Sequence, residues 1–228
     1  YIGMSLVSIT VLYELISYAI DRYLGCSAFL VKGISAFGII AFISVILLDL
    51  YHDILLRQRE TKEKELLLKR AYTDELTQVH NRSYCSEYME HLQTEHIKEY
   101  TVVSLDINNL KDTNDKYGHY AGDLLIKSAA DKLSETFSGK GIIGRMGGDE
   151  FIAIIPCADK KLIESMISHF KEMVDDENKA NPDAQLSVAY GYALSTEFEN
   201  AEVALVYKKA DDRMYETKRR MKQTEFSS

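Results

Sequence analysis

Cysteine is scarce in this chain, with three residues among 228. Cys26, Cys85 and Cys157 show no metal-ligand spacing, and an odd number gives no closed disulfide framework. The histidines form no metal-binding pattern with these cysteines. A zinc site built on cysteine and a disulfide-stabilised secreted fold are therefore disfavoured, and reduced thiols fit a cytoplasmic domain.

A surplus of positive charge is also missing, since the formal net charge is −8. Basic side chains form no stripe outside the segment 57–70. A nucleic-acid-binding surface needs such a stripe, so we expect no nucleic-acid partner. The chain contains no internal repeat and no low-complexity tract, and its length allows one domain of about 150 residues plus a smaller part.

Charged side chains are rare in residues 1–50. Only Glu14 is charged within residues 1–20, and residues 33–48 carry no charge; extending the second stretch back to residue 26 adds only Lys32. Both stretches approach membrane-spanning length, which predicts two transmembrane helices joined by a short loop. The alternative is a pair of buried helices in a soluble sensor domain. A signal peptide fits less well because a basic start is missing. We expect residues 1–50 to be the C-terminal part of a larger membrane or sensor region.

The distribution of basic residues predicts the orientation of these spans. Basic side chains cluster between residues 57 and 70, whereas the connecting loop has only Arg22 and Lys32. Positive charge favours the cytoplasmic side, so we expect a multi-pass protein of the cytoplasmic (inner) membrane whose remaining domain is cytoplasmic.

Residues 51–72 are predicted to form a helical signalling connector. Apolar residues at 54–56 and 66–68 flank a strongly charged middle. A parallel helical pairing would use the apolar positions, and the basic side chains could contact anionic lipid headgroups. The alternative is a solvated spacer.

The segment Gly147-Gly148-Asp149-Glu150-Phe151 lies between two short apolar, β-branched stretches, which predicts a β-hairpin with this segment at its tip. The glycines suit a tight turn, and they would also let the backbone approach a phosphate closely. Two adjacent acids beside apolar strands are costly unless they are solvated or bind a cation.

A second acidic position follows another predicted strand, residues 100–107. Asp106 lies at the exit of this strand, and residues 107–123 are dense in side chains that could bind phosphate, base and metal. The composition of this stretch alone would suit any polar loop.

Several motifs together resemble the GGDEF family, diguanylate cyclases that make cyclic di-GMP from GTP. The resemblance covers residues 73–222, about two thirds of the chain. The segments that carry it, besides the hairpin tip matched letter for letter, are Asp74-Glu75-Leu76-Thr77, Asn81-Arg82, Leu105-Asp106-Ile107, Asn114-Asp115, Tyr117-Gly118-His119, Gly122-Asp123, Ala210-Asp211, Met214-Tyr215 and Lys218. We therefore expect three parts: 1–50 with two transmembrane helices, 51–72 as connector and 73–228 as the GGDEF domain.

The resemblance implies an α/β (α+β) fold, a ferredoxin-like sandwich of the nucleotidyl-cyclase type with a central antiparallel sheet. The alternation of strand and helix patterns agrees with this order. Strands are predicted at 100–107, 141–146, 151–156 and 185–194, and helices at 82–96, 122–136, 160–178 and 200–222.

The resemblance also implies a metal site. Asp106, Asp149 and the Ile107 carbonyl would hold two Mg²⁺ ions, with Mn²⁺ as an alternative, because Mg²⁺ takes hard oxygen ligands and keeps several waters. Asp149 would also accept a proton. Glu150 would assist the metals or orient the turn and the base site, and Lys111 would clamp a phosphate.

Substrate recognition follows from the same resemblance. Asp123 would accept the N1 and N2 hydrogens of guanine, with Asn114 and His119 as further nucleotide contacts. Taken singly, Asn114 could be a turn residue and Asp123 a helix cap. The remaining substrate-binding residues implied by the resemblance are Gly147, Gly148, Lys218 and Lys222.

In this reaction the 3′-hydroxyl of one GTP attacks the α-phosphorus of another, and pyrophosphate leaves. Each domain would hold one GTP, so two domains must face each other and a homodimer is required. A catalytically silent GTP-binding domain that signals through partners is the alternative function. A cyclase with another nucleotide product is disfavoured by Asp123.

Departures from the family pattern are concentrated at a few positions. Asn108 stands where aspartate is common, Leu110 where phenylalanine is common, and Met221-Lys222 where glycine and arginine usually stand; lysine lacks the bidentate fork of arginine. An Arg-x-x-Asp product-binding site would need arginine and aspartate at Ser138 and Gly141. We therefore predict an enzyme without product inhibition through that site.

Overall fold

The structure is a computed structural model that describes residues 2–24, 28–182 and 185–225, with the side chains of residues 1–8, 10, 24–37 and 225 left aside. The chain divides into two compact units, residues 1–66 and 67–228. The expected loop between the two apolar stretches falls partly on residues 25–27, which lie outside the described residues.

Two helices occupy the first unit. Helix α1 spans Ile2–Leu24, and helix α2 begins at Ala28 and ends at Tyr72. Among the described residues one helix, not two, is long and apolar enough to cross a membrane. It covers Gly38–Tyr72, and its most apolar stretch of 18 residues has a mean hydropathy of 2.1. The two-span prediction is thus supported for one helix only, because the described side chains of α1 form too short a stretch for this test.

Helix α2 is continuous through the predicted connector. Apolar side chains near its end are exposed, at 51%, 59% and 47% for Leu66, Leu67 and Leu68. The helix continues past the unit boundary and ends at Tyr72. There the Asn81 amide donates a hydrogen bond of 2.7 Å to the Ala71 carbonyl. Residues 51–72 are therefore helical, and their role as a signalling connector stays a prediction.

The second unit contains a five-stranded sheet in the order β1-β3-β4-β2-β5. Its strands are β1 (His80–Asn81), β2 (Thr101–Ile107), β3 (Ile142–Gly147), β4 (Glu150–Ile155) and β5 (Val188–Leu194). Four strands agree with the predicted ones within a few residues. The predicted antiparallel pairing holds among these four strands, but the sheet as a whole is mixed because β1 pairs with β3 in parallel. Two residues give too little pattern for β1 to be found in the sequence.

Helices cover both faces of this sheet. They are α3 (Arg82–Thr94), α4 (Leu110–Tyr117), α5 (His119–Phe137), α6 (Lys160–Ala180) and α7 (Val203–Glu225), with a short 3-10 turn at Ser195–Glu197. Helix α4 was not predicted, since its polar sequence resembles a loop. It is separated from α5 by Gly118, whose φ of +84° is a left-handed conformation that favours glycine.

The strand β2 is central and buried along its whole length. Because side chains alternate across a strand, Val103, Leu105 and Ile107 join the core cluster that includes α5 and α6 residues. Val102 joins the cluster with α3 and α7 residues. The same alternation places Ser104 and Asp106 on the α3 and α7 side, so this face becomes polar toward the end of β2.

Candidate active site

The residues predicted to bind metal meet where β2 ends beside the β3–β4 hairpin. Asp106 lies opposite Glu150 in the antiparallel pairing of β2 with β4. The Ile107 amide donates a hydrogen bond of 3.0 Å to the Asp149 carbonyl. The fold thus brings Asp106, Ile107, Asp149 and Glu150 together at one edge of the sheet, which we call the acidic edge.

Asp106 is almost completely buried, with 6% of its surface exposed. Lys218 on α7 donates to it, with 2.5 Å between Nζ and Oδ1. Burial raises the pKa of the Asp106 carboxyl above its ordinary value, and the negative charge of Asp149 adds to this; Lys218 and Lys222 act in the opposite direction without cancelling it. A cation near this carboxylate is therefore stabilising.

The donor set fits a hard divalent cation. No group of three or more histidine, cysteine, aspartate or glutamate side chains within the described ranges could hold a metal ion. Asp106, Asp149 and a backbone carbonyl supply only oxygen ligands, which suits Mg²⁺ because that ion keeps waters and substrate oxygens in its shell. The residues present thus fit the predicted ion, while their role as ligands stays a prediction.

The hairpin turn is held by Arg145, a residue that the sequence analysis did not single out. Its Nε and Nη2 donate to the Gly148 carbonyl at 3.0 and 2.7 Å. The pairing of β3 with β4 shifts register between Arg145 and Gly147, as at a β-bulge. The sequence signal that could have identified this residue is an arginine two positions before Gly147.

The same guanidinium ties the hairpin to the start of the domain. Arg145 Nη1 lies 3.2 Å from Asp74 Oδ1, and that oxygen also accepts from the Thr77 amide at 2.9 Å and the Thr77 hydroxyl at 2.6 Å. Burial alone would raise the pKa of Asp74, but the Thr77 hydrogen bonds and the Arg145 charge outweigh it and lower the pKa. Asp74 and Arg145 therefore fix the position of the hairpin turn that carries Asp149.

The residues predicted to read the base lie on α4 and α5. The Asn114 side chain packs so closely on Gly122 that a Cβ at residue 122 would collide with Asn114 Oδ1. This oxygen is buried, and no hydrogen-bond partner for it exists in the described part of the chain. Asp123 follows Gly122 on α5. A buried acceptor without a partner is a group that a ligand with an N–H donor would satisfy.

The other predicted contacts are spread around the acidic edge. Lys111 and His119 are exposed on α4 and α5. Lys222, one turn beyond Lys218 on α7, acts electrostatically on Asp106. Gly147 ends β3 and Gly148 has a φ of +23°. Their substrate-binding roles stay predictions.

Further polar side chains lie between β2 and α7. Ser104 donates to Asp211 of α7 at 3.3 Å. Burial raises the pKa of Tyr207, and the charges of Asp211 and Glu150 raise it further. Glu150 thus acts electrostatically on Tyr207 of α7. Its predicted role, either assisting the metals or orienting the turn and the base site, stays a prediction.

The mixed sheet and the helices on both of its faces define an α+β domain. Residues 71–224 match the family model described as "Diguanylate cyclase, GGDEF domain". The chain therefore belongs to the GGDEF domain family.

Curated relatives agree with this assignment. The chain is 32% identical over 177 residues to the signaling protein YkoW of Bacillus subtilis (strain 168), covering 72% of this chain and 21% of that protein. It is 38% identical over 87 residues to the probable diguanylate cyclase DgcF of Escherichia coli (strain K12), covering 38% of this chain and 28% of that protein. The chain thus spans between a fifth and a third of the length of these two relatives.

Solved structures show the same fold. A microbial GGDEF domain described in an interaction with cyclic di-GMP is 28% identical, with a TM-score of 0.56 over 67% of this chain and 93% of that chain. The coiled coil and GGDEF domain of DgcB from Caulobacter crescentus, in complex with c-di-GMP, has a TM-score of 0.64 at 22% identity over 76% of this chain and 94% of that chain. At this lower identity the likeness concerns the fold.

Proposed function

We propose that this chain is an active diguanylate cyclase that condenses two GTP molecules into cyclic di-GMP and two pyrophosphates. The observation that carries the proposal is the acidic edge, where Asp106 and Glu150 lie opposite each other and Asp149 joins Ile107 through the backbone. Family membership and relatives named diguanylate cyclase support it.

In this proposal Asp106, Asp149 and the Ile107 carbonyl hold Mg²⁺. The ions, when bound, polarise the phosphates and lower the pKa of the attacking 3′-hydroxyl. Asp149 accepts the proton of that hydroxyl, and Glu150 orients the turn. Lys111, Lys218 and Lys222 contact the triphosphate, while Gly147 and Gly148 let the hairpin backbone approach it.

Guanine recognition is assigned to the α4–α5 pair. Asn114 Oδ1, buried without a partner in the described residues, would accept from the base, and Asp123 would accept from N1 and N2. His119 adds a further nucleotide contact. Adenine presents an acceptor at N1 where guanine has a donor, so Asp123 would discriminate against ATP.

Catalysis in this proposal requires a homodimer, because each domain holds one GTP and the hairpin of one domain must meet the GTP of the other. The exposed leucines of the connector could pair two chains. The end of the connector is held to the catalytic domain by the Asn81–Ala71 hydrogen bond and by the Tyr72 and Tyr84 rings, whose centroids are 5.5 Å apart. Pairing of the connector would therefore act directly on the domain.

We also propose a membrane location with a cytoplasmic catalytic domain. The one candidate span in α2 and the basic residues after it support this orientation. The proposed division is 1–50 for the membrane part, 51–72 for the connector and 73–228 for the GGDEF domain.

Product inhibition through an Arg-x-x-Asp site is proposed to be absent. Ser138 ends α5, and Gly141 lies so close to β4 that a Cβ there would collide with the Ile154 carbonyl oxygen. Aspartate at residue 141 would therefore need a shift of the backbone. Tight cyclic di-GMP binding around residues 138–141 would contradict this proposal.

Incubation of the membrane-extracted protein with GTP, ATP and Mg²⁺, followed by mass spectrometry of the products, tests the proposed function. Cyclic di-GMP from GTP alone is the expected result. A demonstrated dimer that binds GTP but forms no product would favour the silent signalling domain instead, and a mixed product would overturn the assigned role of Asp123.

A further inference from the structure

Lys218 is proposed to contact phosphate, yet in this structure it forms an ion pair with Asp106 at the acidic edge. Its ammonium lies 2.5 Å from Asp106 Oδ1, on the carboxylate proposed to bind metal. The Asp106 side chain is 8% exposed and that of Lys218 is 22% exposed. The carboxylate is therefore fixed in the fold, whereas the lysine side chain still reaches solvent.

Contacts along α7 fix the backbone on which Lys218 stands. Helix α7 runs beside β2, with Asp211 next to Ser104 at 3.3 Å and Met221 next to Asn108, whose Nδ2 is 3.6 Å from the Met221 sulfur. Lys218 lies between these two contacts. Moving its ammonium away from Asp106 thus needs only rotations of the side chain and no movement of the helix.

A carboxylate oxygen that already contacts an ammonium is a poorer ligand for a divalent cation. Mg²⁺ binds oxygen at about 2.0–2.1 Å, and the Lys218 ammonium already contacts Oδ1. Two positive charges on a buried carboxylate repel each other strongly, because the surroundings screen them poorly. A divalent cation on Asp106 would therefore favour release of the lysine.

We propose that Lys218 is an exchangeable counter-ion of Asp106: its ammonium competes with the divalent cation for this carboxylate and moves to the triphosphate when the cation binds. The inference rests on the proposed function, since it adopts the assigned metal and phosphate sites. It makes metal and nucleotide binding mutually supportive, because the cation releases the lysine that the nucleotide needs. Such coupling is reciprocal between the two ligands.

Lys218→Met tests the exchange because it keeps the apolar stem and removes the charge. In the full chain without nucleotide, Mn²⁺ binding measured by electron paramagnetic resonance should become about fivefold tighter or more, as expected for a coupling of ordinary size. GTP binding measured by calorimetry in EDTA should change little, because without the cation Asp106 already holds the lysine. A residue that only bound phosphate would change the second quantity and leave the first unchanged.

Lys222→Met is the matched control. Lys222 stands on the same helix and acts on Asp106 only through space. This variant should weaken GTP binding while changing Mn²⁺ affinity less than Lys218→Met does. Asp106→Asn should abolish Mn²⁺ binding, both alone and combined with Lys218→Met.

Unchanged or weaker Mn²⁺ binding by Lys218→Met would overturn the inference, and so would the absence of Mn²⁺ binding by every protein tested. If Lys218→Met fails to fold, Lys218→Gln replaces it; folding of either variant only with Mn²⁺ supports the exchange, and unfolding regardless of Mn²⁺ contradicts it. None of these measurements depends on turnover. Loss of cyclase activity and failure of the exchange are therefore distinguishable.

Discussion

At the scale of single residues, the burial of Asp106 is unfavourable for its charged form, and a neighbouring cation offsets part of that cost. The carboxyl has a raised pKa even with Lys218 in contact. Function and stability therefore make opposite demands on this position, as is common where a fold holds reactive groups.

Asp106→Asn should consequently lower cyclic di-GMP synthesis by about a hundredfold or more, since a ligand of the reacting centre is lost. Thermal unfolding without metal should stay the same or shift upward, because a buried charge is replaced by a neutral amide and Lys218 can turn to solvent. Retained activity, measured as product per unit time, would contradict the assigned metal site.

Asp74→Asn should destabilise the domain at neutral pH, because the carboxylate accepts from Thr77 and pairs with Arg145. The pKa of Asp74 is lowered in the folded protein, so its contribution is present above the ordinary carboxyl pKa of 3.8 and is lost as the pH falls through the lowered folded value. Urea unfolding of both proteins at several pH values should show their stabilities converging in acid. A difference that grows in acid would refute this assignment.

Gln78→Gly should stabilise the domain by about 0.5 to 1 kcal/mol, because a residue with a side chain is strained in the left-handed conformation. Gln78 has a φ of 60° in the turn after Thr77. Its side-chain hydrogen bond to the Glu75 carbonyl is exposed, so its loss costs little. Denaturant unfolding measures the change, and Gln78→Ala should give no comparable gain.

At the scale of elements, the approach of Gly141 to β4 separates this chain from the product-inhibited pattern. A side chain at residue 141 would collide with the backbone of Ile154. Restoring the two residues of the missing site is therefore a problem of strand packing as well as of chemistry.

The double change Ser138→Arg with Gly141→Asp should lower the melting temperature and should not create tight cyclic di-GMP binding. Ser138→Arg alone should leave stability nearly unchanged, because Ser138 is exposed at the end of α5. Calorimetric titration with cyclic di-GMP and thermal unfolding check both expectations. A stable double variant with new tight binding would show that the strand edge can adapt.

At the scale of the whole molecule, helix α2 is continuous from Ala28 to Tyr72, just before the predicted start of the GGDEF domain at residue 73. Replacing residues 1–50 by a parallel dimeric coiled coil, fused in helical phase with the connector, should give a dimer with higher specific activity than residues 67–228 alone. The physical reason is effective concentration, since two tethered domains meet far more often than free ones. Equal activity at equal dilute concentration would argue against the connector as the dimerisation element.

Much of the catalytic domain could be predicted from the sequence because its signals are local. Short apolar, β-branched runs placed four of the strands, and the acidic hairpin tip was evident beside two glycines. The strand β1 was not predicted because it has only two residues. The helix α4 was not predicted because most of its residues are polar. The second membrane span stays a prediction, since one candidate helix exists in the described ranges.

The sequence by itself determined the family, the identity of the acidic residues, the strand of Asp106 and the hairpin tip that carries Asp149, because these depend on residue type and short-range pattern. Only the tertiary structure decided that Lys218 pairs with Asp106, that Arg145 joins the hairpin to Asp74, and that Asn114 Oδ1 is buried without a partner in the described residues. These contacts join segments far apart in the chain. Local pattern cannot specify them, since they arise from how the helices pack on the sheet.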